Sequence, residues 1–171
     1  MKIRRRERAG KSEFKQLQAL KKRAYQAFAD GKRLDVPDQD AAHLDSINLA
    51  FVGDAYYALT LRRRLVETGI PHVQVLHTLA AEFVSAKAQA YVYRRIHDGL
   101  TDDEKASASG PAMPIPWRRR APPSPSTTTA RPGSLVGYLV MAGRTERLDA
   151  VMAQVYEETK AYCNEKHGGM E

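Results

Sequence analysis

The sequence predicts an all-α protein. Apolar residues recur at three- and four-residue spacing in five stretches of the 171-residue chain, few runs alternate as strands do, and helix caps and stop residues separate the stretches. The length is enough for one domain with its own core. We expect a basic extension at residues 1–40, a main helical domain at 41–165 and a tail at 166–171.

The basic extension starts with a cluster of cationic residues: Lys2, Arg4, Arg5, Arg6, Arg8 and Lys11. Such a cluster is typical of a solvated, disordered tail, although it could also contact the phosphates of a nucleic acid. Behind it, a helix is predicted from Ser12, a suitable N-cap, to Ala29. Residues 31–39, which include Pro37, are predicted to form a linker.

The next predicted helix, about residues 43–67, carries a carboxylate on its apolar side. Helical spacing places six residues on that side: Ile47, Ala50, Phe51, Asp54, Ala58 and Leu61. Asp54 is therefore predicted to point toward the core, where a carboxylate must be neutralised by protonation, hydrogen bonds, a cation or a metal ion. It is either a structural group, capping a helix or paired with an arginine, or part of a functional site.

A third helix is predicted at about 73–98, after Pro71 has prevented the previous one from continuing. It contains Ser85, Lys87 and Gln89. The side chains of Lys87 and Gln89 could hydrogen-bond a phosphate or orient a carboxylate, and they could equally be ordinary surface groups.

The stretch at 106–133 breaks the helical pattern. Thr101 and Glu104 form a capping box, which predicts that a helix starts there. Residues 106–133, however, contain seven of the nine prolines and no Asp or Glu. That composition predicts an irregular basic linker. Two further helices are predicted after it, at 135–141 and 145–162.

Composition and charge limit the classes of function that the chain can have. The formal charge of +7 makes a polyanion the natural partner, with nucleic acid ahead of a membrane surface. No apolar run reaches the roughly 18 residues that a membrane-spanning helix needs, and no hydrophobic region follows the basic N-terminus. The single cysteine, Cys163, excludes an intramolecular disulfide and any multi-cysteine zinc site. We expect a soluble cytoplasmic protein without a membrane partner.

Four motifs resemble one enzyme family. The run L-A-F-V-G-D-A at 49–55 resembles the signature helix of the ribonuclease III fold. The run V-S-A-K-A-Q-A at 84–90 resembles a segment of Mini-ribonuclease III, the short bacterial form without a double-stranded-RNA-binding domain. The runs L-V-G-Y-L at 135–139 and T-E-R-L at 145–148 are similar to two further motifs of that family. Together the matches span about 44–104 and 134–156.

This resemblance implies a fold, an activity and a site. The fold would be the all-helical ribonuclease III catalytic domain, and the activity would be endonucleolytic cleavage of double-stranded RNA, with 23S ribosomal RNA precursor as the expected substrate. Mg²⁺ would be the cofactor, with Asp54 as catalytic carboxylate and metal ligand. Ser85, Lys87 and Gln89 would contact RNA.

The same resemblance implies a homodimer, whose two active sites would each cut one strand of a duplex. Its interface would bury the apolar side of the signature helix, including Phe51 and Tyr57. Recognition would follow the shape, phosphates and 2′-hydroxyls of A-form RNA.

The family's second catalytic carboxylate has no counterpart in this chain. Alignment through L-V-G-Y-L places that glutamate on Gly133 and the preceding phenylalanine on Pro132. A glycine has no side chain to hold a metal ion, and a proline removes a backbone donor. Larger ribonuclease III enzymes carry an acid one turn before the signature aspartate, where this chain and the short family have alanine, here Ala50. Asp45 lies too far along the helix to replace it.

Back-translation offers a hypothesis for the missing glutamate. The run S-T-T-T-A-R at 126–131 can be encoded so that the neighbouring frame gives Y-H-H-S-T, as in the family. The same displacement turns P-A-M-P-I-P at 111–116 into R-N-A-H-S, a second family motif. We therefore interpret residues 106–133 as read out of frame, through a sequencing error or compensating insertions and deletions. Resequencing the gene tests this, because codons that give neither motif would refute it.

Two other functions fit the same residues. The first is a non-catalytic protein that binds double-stranded RNA or the ribosome on the same scaffold. The second is an unrelated helical interaction domain in which Asp54 is merely ion-paired. An Asp54→Asn variant would separate them, because a structural pair would lose stability whereas a metal-site carboxylate would lose activity.

Overall fold

The computed structural model describes residues 2–31, 40–109 and 132–168. These residues form α-helices and two 3-10 turns without a strand, so the all-α prediction is confirmed. The helices are α1 (Lys2–Ala29), α2 (Ser46–Glu67), α3 (Val73–Phe83), α4 (Ala86–Ile96), α5 (Asp102–Ala108), α6 (Pro132–Met141) and α7 (Thr145–His167). The 3-10 turns are Ala41–His43 and His97–Gly99.

The chain divides into two compact units, Met1–Asp38 and Gln39–Glu171. Helix α1 belongs to the first unit and begins at Lys2, so the backbone of the basic cluster is helical and the prediction of a disordered tail there is wrong. Most of the predicted linker at 31–39 lies outside the described residues.

Helix α2 carries Asp54, and its buried side differs from the predicted one. The helix begins behind Asp45, whose carboxylate accepts a hydrogen bond from the Ile47 amide at 2.8 Å, so Asp45 is an N-cap. Six residues of α2 are buried: Leu49, Ala50, Gly53, Tyr57, Leu61 and Leu65. Asp54 is exposed, and the prediction that it points into the core is wrong. The buried side consists instead of residues spaced four apart, from Leu49 to Leu65.

The helix predicted at 73–98 is two helices, α3 and α4. The break falls at Val84 and Ser85, and the Ser85 hydroxyl accepts a hydrogen bond from the Ala88 amide at 3.3 Å. A serine that caps a new helix competes with continuation of the old one, and this explains why one apolar pattern yields two elements.

The stretch predicted to be irregular, 106–133, is helical at both ends. Helix α5 continues to Ala108, and α6 already begins at Pro132, so the prediction is wrong for these end residues. A proline fits the first turn of a helix because its fixed φ is already helical and no intrahelical partner awaits its amide. Residues 110–131, with most of the hypothetical out-of-frame segment, lie outside the described residues.

Helix α6 forms the centre of the second unit. Its residues Leu135, Val136 and Leu139 are fully buried, and the helix packs against α2 and α5 while α4 packs against α7. No described helix combines the length and hydropathy that crossing a membrane requires. The arrangement places the first turn of α6 beside the middle of α2.

Candidate active site

Helices α2 and α6 cross with their backbones in contact. A β-carbon on Gly53 would lie 2.8 Å from the carbonyl carbon of Gly133, and one on Gly137 would lie 2.6 Å from that of Leu49. Neither partner is a flexible side-chain end, so both positions require glycine. A glycine destabilises a helix by about 1 kcal/mol relative to alanine. Here the absence of a side chain at these two positions permits the close crossing.

The crossing brings Gly133 against Asp54. A β-carbon on Gly133 would lie 2.8 Å from Asp54 Cγ and 3.4 Å from Oδ2, and it would meet Oδ1 still more closely. The neighbouring Ser134 hydroxyl donates to the Ser46 carbonyl at 2.8 Å, which fixes the register of α6 on α2. Position 133 therefore adjoins the Asp54 carboxylate, as the family alignment expects of a second catalytic residue.

Within the part of the chain that the structure describes, no divalent-metal site of several protein ligands is formed. Across residues 2–31, 40–109 and 132–168, no group of three or more His, Cys, Asp or Glu side chains could hold a metal ion. Mg²⁺ is bound in proteins through one or two carboxylates with water and substrate phosphates. Asp54 offers one carboxylate and Gly133 offers none. The predicted Mg²⁺ site thus lacks its second carboxylate at the position facing Asp54.

The three residues predicted to contact RNA differ in availability. The Ser85 hydroxyl caps α4, and the Gln89 amide donates to the Val84 carbonyl at 3.2 Å. Lys87 is exposed and has no ion pair with a described residue. Ser85 and Gln89 therefore shape the turn between α3 and α4, and Lys87 is the member of the motif whose charge faces solvent.

An ion pair with a fully buried carboxylate joins α5 to α7. Glu104 is fully buried, and its carboxylate accepts two hydrogen bonds from the Arg147 guanidinium, both at 2.8 Å. Arg147 also donates to the Gly99 carbonyl at 2.9 Å. The hydrogen bonds from Arg147 hold the pKa of Glu104 below its ordinary value of 4.5. Sequence reasoning found the Thr101–Glu104 capping box, which is confirmed, but no local signal marked Arg147 as the partner.

Two aromatic residues of α2 face opposite environments. Tyr57 is 1% exposed, and burial raises its pKa to about 12. The prediction that Tyr57 lies at a dimer interface is wrong, because the core of the single chain already covers it. Phe51 is 82% exposed and is therefore open to a partner.

The sequence matches one protein family over most of the second unit. Residues 47–157 match the Ribonuclease III domain. The chain is 35% identical over 115 residues to Mini-ribonuclease 3 of Symbiobacterium thermophilum, covering 64% of this chain and 85% of that protein. It is 34% identical over 130 residues to Mini-ribonuclease 3 of a Thermoanaerobacter species, covering 67% of this chain and 84% of the relative.

A solved structure has the same fold. An X-ray crystal structure of a Fusobacterium nucleatum protein aligns with a TM-score of 0.53 at 19% sequence identity. The alignment covers 70% of this chain and 98% of the other. The all-helical catalytic-domain fold expected from the four motifs is confirmed by this likeness together with the family match.

Proposed function

Because the chain belongs to the ribonuclease III family and groups within it with the Mini-ribonuclease 3 proteins, we propose that its substrate is a duplex in 23S ribosomal RNA precursor. Members of the family are endoribonucleases of double-stranded RNA that generally use a divalent metal ion and act as dimers. We propose Mg²⁺ as the ion, a homodimer as the assembly and the cytoplasm as the location.

The contact between Asp54 and position 133 carries this proposal. Asp54 occupies the signature position, and a side chain at 133 would touch its carboxylate. Two carboxylates placed together bind a hard cation such as Mg²⁺. With Gly133 the pair is incomplete, so we propose that the chain as written binds duplex RNA and cleaves it slowly or not at all. Non-catalytic binding on the same scaffold is the second candidate, and Gly133 is the observation that favours it.

The cationic side chains support a phosphate-binding surface. The chain carries a formal charge of +7, and the exposed residues Lys87 and Arg94 have no ion pair with a described residue. Contacts to phosphates provide sequence-independent affinity that weakens as salt rises. We propose that Lys87 contacts a phosphate, while Ser85 and Gln89 hold the turn that presents it.

The exposure of Phe51 supports the proposed homodimer. A large aromatic side chain that is 82% exposed on the signature helix leaves apolar surface in water. A two-fold interface buries the same patch of both subunits. We therefore propose Phe51 as an interface residue and exclude Tyr57 from that role.

Gel-shift and cleavage assays on a 23S precursor stem test the proposal. We expect the protein to bind the stem with Mg²⁺ and with EDTA, and to bind an unrelated duplex with similar affinity. Lys87→Gln should reduce the slope of log affinity against log salt by about 1. Lys160→Gln is the matched control. It also removes one positive charge, but from a lysine that is already paired with Glu157. Absence of duplex binding in every buffer would refute the proposed function.

A further inference from the structure

An apolar cavity lies between α2, α3 and α7. It has a volume of about 320 Å³, which is within the range of small-molecule sites. Its apolar wall consists of Leu61, Leu65, Ile70, Leu79, Phe83 and Tyr156. No residue of the Asp54 site lines it, so a ligand held there would be separate from the RNA chemistry.

The polar groups of the cavity fall into two kinds. The hydroxyls of Thr68 and Thr159 donate to the Leu65 and Val155 carbonyls at 2.6 and 2.7 Å. Their hydrogens are thus already engaged by the backbone, and neither threonine offers a ligand its hydroxyl hydrogen. An apolar ligand body suits such walls because it requires no hydrogen bonds.

Both charged residues that line the cavity are cations. Arg64 pairs with Glu67 at 3.1 Å and Lys160 pairs with Glu157 at 2.6 Å, but neither glutamate lines the cavity. All four side chains are more than half exposed. Exposed pairs of this type contribute at most about 1 kcal/mol, so either cation can turn to an anion at the cavity with little loss.

We propose that this cavity binds an amphipathic anion, an aliphatic carboxylate whose chain fills the apolar space and whose carboxylate lies between Arg64 and Lys160. Binding would remove the apolar surface of the ligand's alkyl chain from water, and the two cations would select the negative head group of the ligand. A cationic amphiphile of the same chain length would be repelled. A surface that binds through apolar contacts alone would instead bind amphiphiles of either charge equally well.

Cys163 provides an internal reporter of occupancy. It lines the cavity and is the single cysteine of the chain. Burial raises the pKa of its thiol, with Glu82 adding to the rise and Lys166 opposing it. A ligand in the cavity should shield this thiol from alkylation, and no other thiol contributes background.

The experiment measures alkylation of Cys163 by N-ethylmaleimide in the full chain. We expect saturating monomeric decanoate to slow the reaction about fivefold or more, decanol to slow it less, and decyltrimethylammonium to leave it unchanged. The double variant Arg64→Gln/Lys160→Gln should lose the protection by decanoate. Arg62→Gln should retain it, because Arg62 bonds the Ala58 carbonyl of its own helix and does not line the cavity.

Three results would overturn the proposal. The first is equal protection by all three amphiphiles, and the second is no protection by decanoate. The third is alkylation that accelerates on dilution without ligand, which would assign the cavity to contact with a second copy of the chain. Thermal melts of each variant must show a cooperative transition, so that a loss of protection reports binding and not unfolding.

Discussion

Gly133 on α6 lies directly against the carboxylate of Asp54 on α2, so that a β-carbon on the glycine would stand 2.8 Å from the carboxylate carbon. Position 133, where we propose the second carboxylate of the family belongs, therefore adjoins Asp54 but carries no side chain. The helix crossing depends on Gly53 and Gly137. The proposed metal binding depends instead on position 133, so a side chain there can be varied without changing the two glycines at the crossing.

Replacing Gly53 or Gly137 by alanine should destabilise the protein strongly. The new methyl group would collide with the backbone of the facing helix, and backbone cannot rotate away as a side chain can. We expect the free energy of unfolding to fall by about 3 kcal/mol for each variant. Urea unfolding followed by circular dichroism measures this. Gly99→Ala is the control, because its β-carbon would approach nothing closer than 4.0 Å; an equal loss there would contradict the close crossing.

Breaking the buried ion pair should cost more than breaking an exposed one. Glu104→Gln replaces a fully buried carboxylate by a neutral amide and removes the charge-assisted hydrogen bonds from Arg147, whose side chain is about one third exposed, and we expect a loss of about 2 kcal/mol. Glu157→Gln breaks the exposed pair with Lys160 and should cost less than about 1 kcal/mol. Thermal or urea unfolding at pH 7 compares the two. Similar losses for both variants would show that the Glu104–Arg147 pair stabilises the fold no more than the exposed Glu157–Lys160 pair does.

The same pair should make stability depend on acid pH. Since Arg147 lowers the pKa of Glu104 in the folded protein, folding favours the ionised carboxylate. This contribution is complete above the ordinary value of 4.5 and disappears as pH falls through the lowered folded pKa. The difference in unfolding free energy between wild type and Glu104→Gln should therefore shrink from pH 6 toward pH 3. A difference that stays constant over this range would contradict the lowered pKa.

Phe51→Glu should weaken the proposed homodimer. The variant places a charge where an exposed aromatic side chain would be buried by the second subunit, and a charge buried without a partner is costly. Light scattering after size exclusion should show a dimer for wild type and a monomer for the variant. Gln74→Glu is the control, because it adds the same charge at an exposed residue of α3 that is already polar. A monomeric wild type, or a dimeric Phe51→Glu, would refute the assignment.

Helix positions were predictable where local signals set them. The Thr101 capping box, the start of α7 at Thr145 and the end of α2 before Gly69 all depend on residues within one turn. The buried side of α2 was not predictable from apolar spacing alone. It depends on Gly53, which lets α6 approach on that side and leaves Asp54 at the edge of the contact.

The roles of the site residues stay predictions, but one spatial relationship between them is visible in the structure. The signature motif predicts a catalytic role for Asp54, alignment predicts that Gly133 stands where the family has a glutamate, and these two positions are in contact. The pairing of Glu104 with Arg147, which are 43 residues apart, has no local sequence signal. The motif predicts that Ser85 contacts RNA, whereas its hydroxyl caps α4 in the structure.

Gly133→Glu should restore Mg²⁺-dependent cleavage. A side chain at 133 meets the end of the Asp54 side chain, which can rotate aside, so the fold should tolerate it. The added carboxylate completes the pair and should raise the cleavage rate about tenfold or more over wild type. Mn²⁺ binding by paramagnetic resonance provides a readout besides activity. A chain with the neighbouring reading frame restored across 106–133 should show the same gain.

The most direct measurement is the single-turnover cleavage rate of a duplex 23S precursor stem by wild type, Gly133→Glu, Gly133→Ala and the double variant Asp54→Asn/Gly133→Glu, each with Mg²⁺ and at equal RNA occupancy. We predict a gain for Gly133→Glu alone, none for the alanine control, and loss of the gain when Asp54 is neutralised. Wild-type cleavage as fast as that of Gly133→Glu, or a gain that survives Asp54→Asn, would contradict the assignment of position 133 as the missing partner of Asp54.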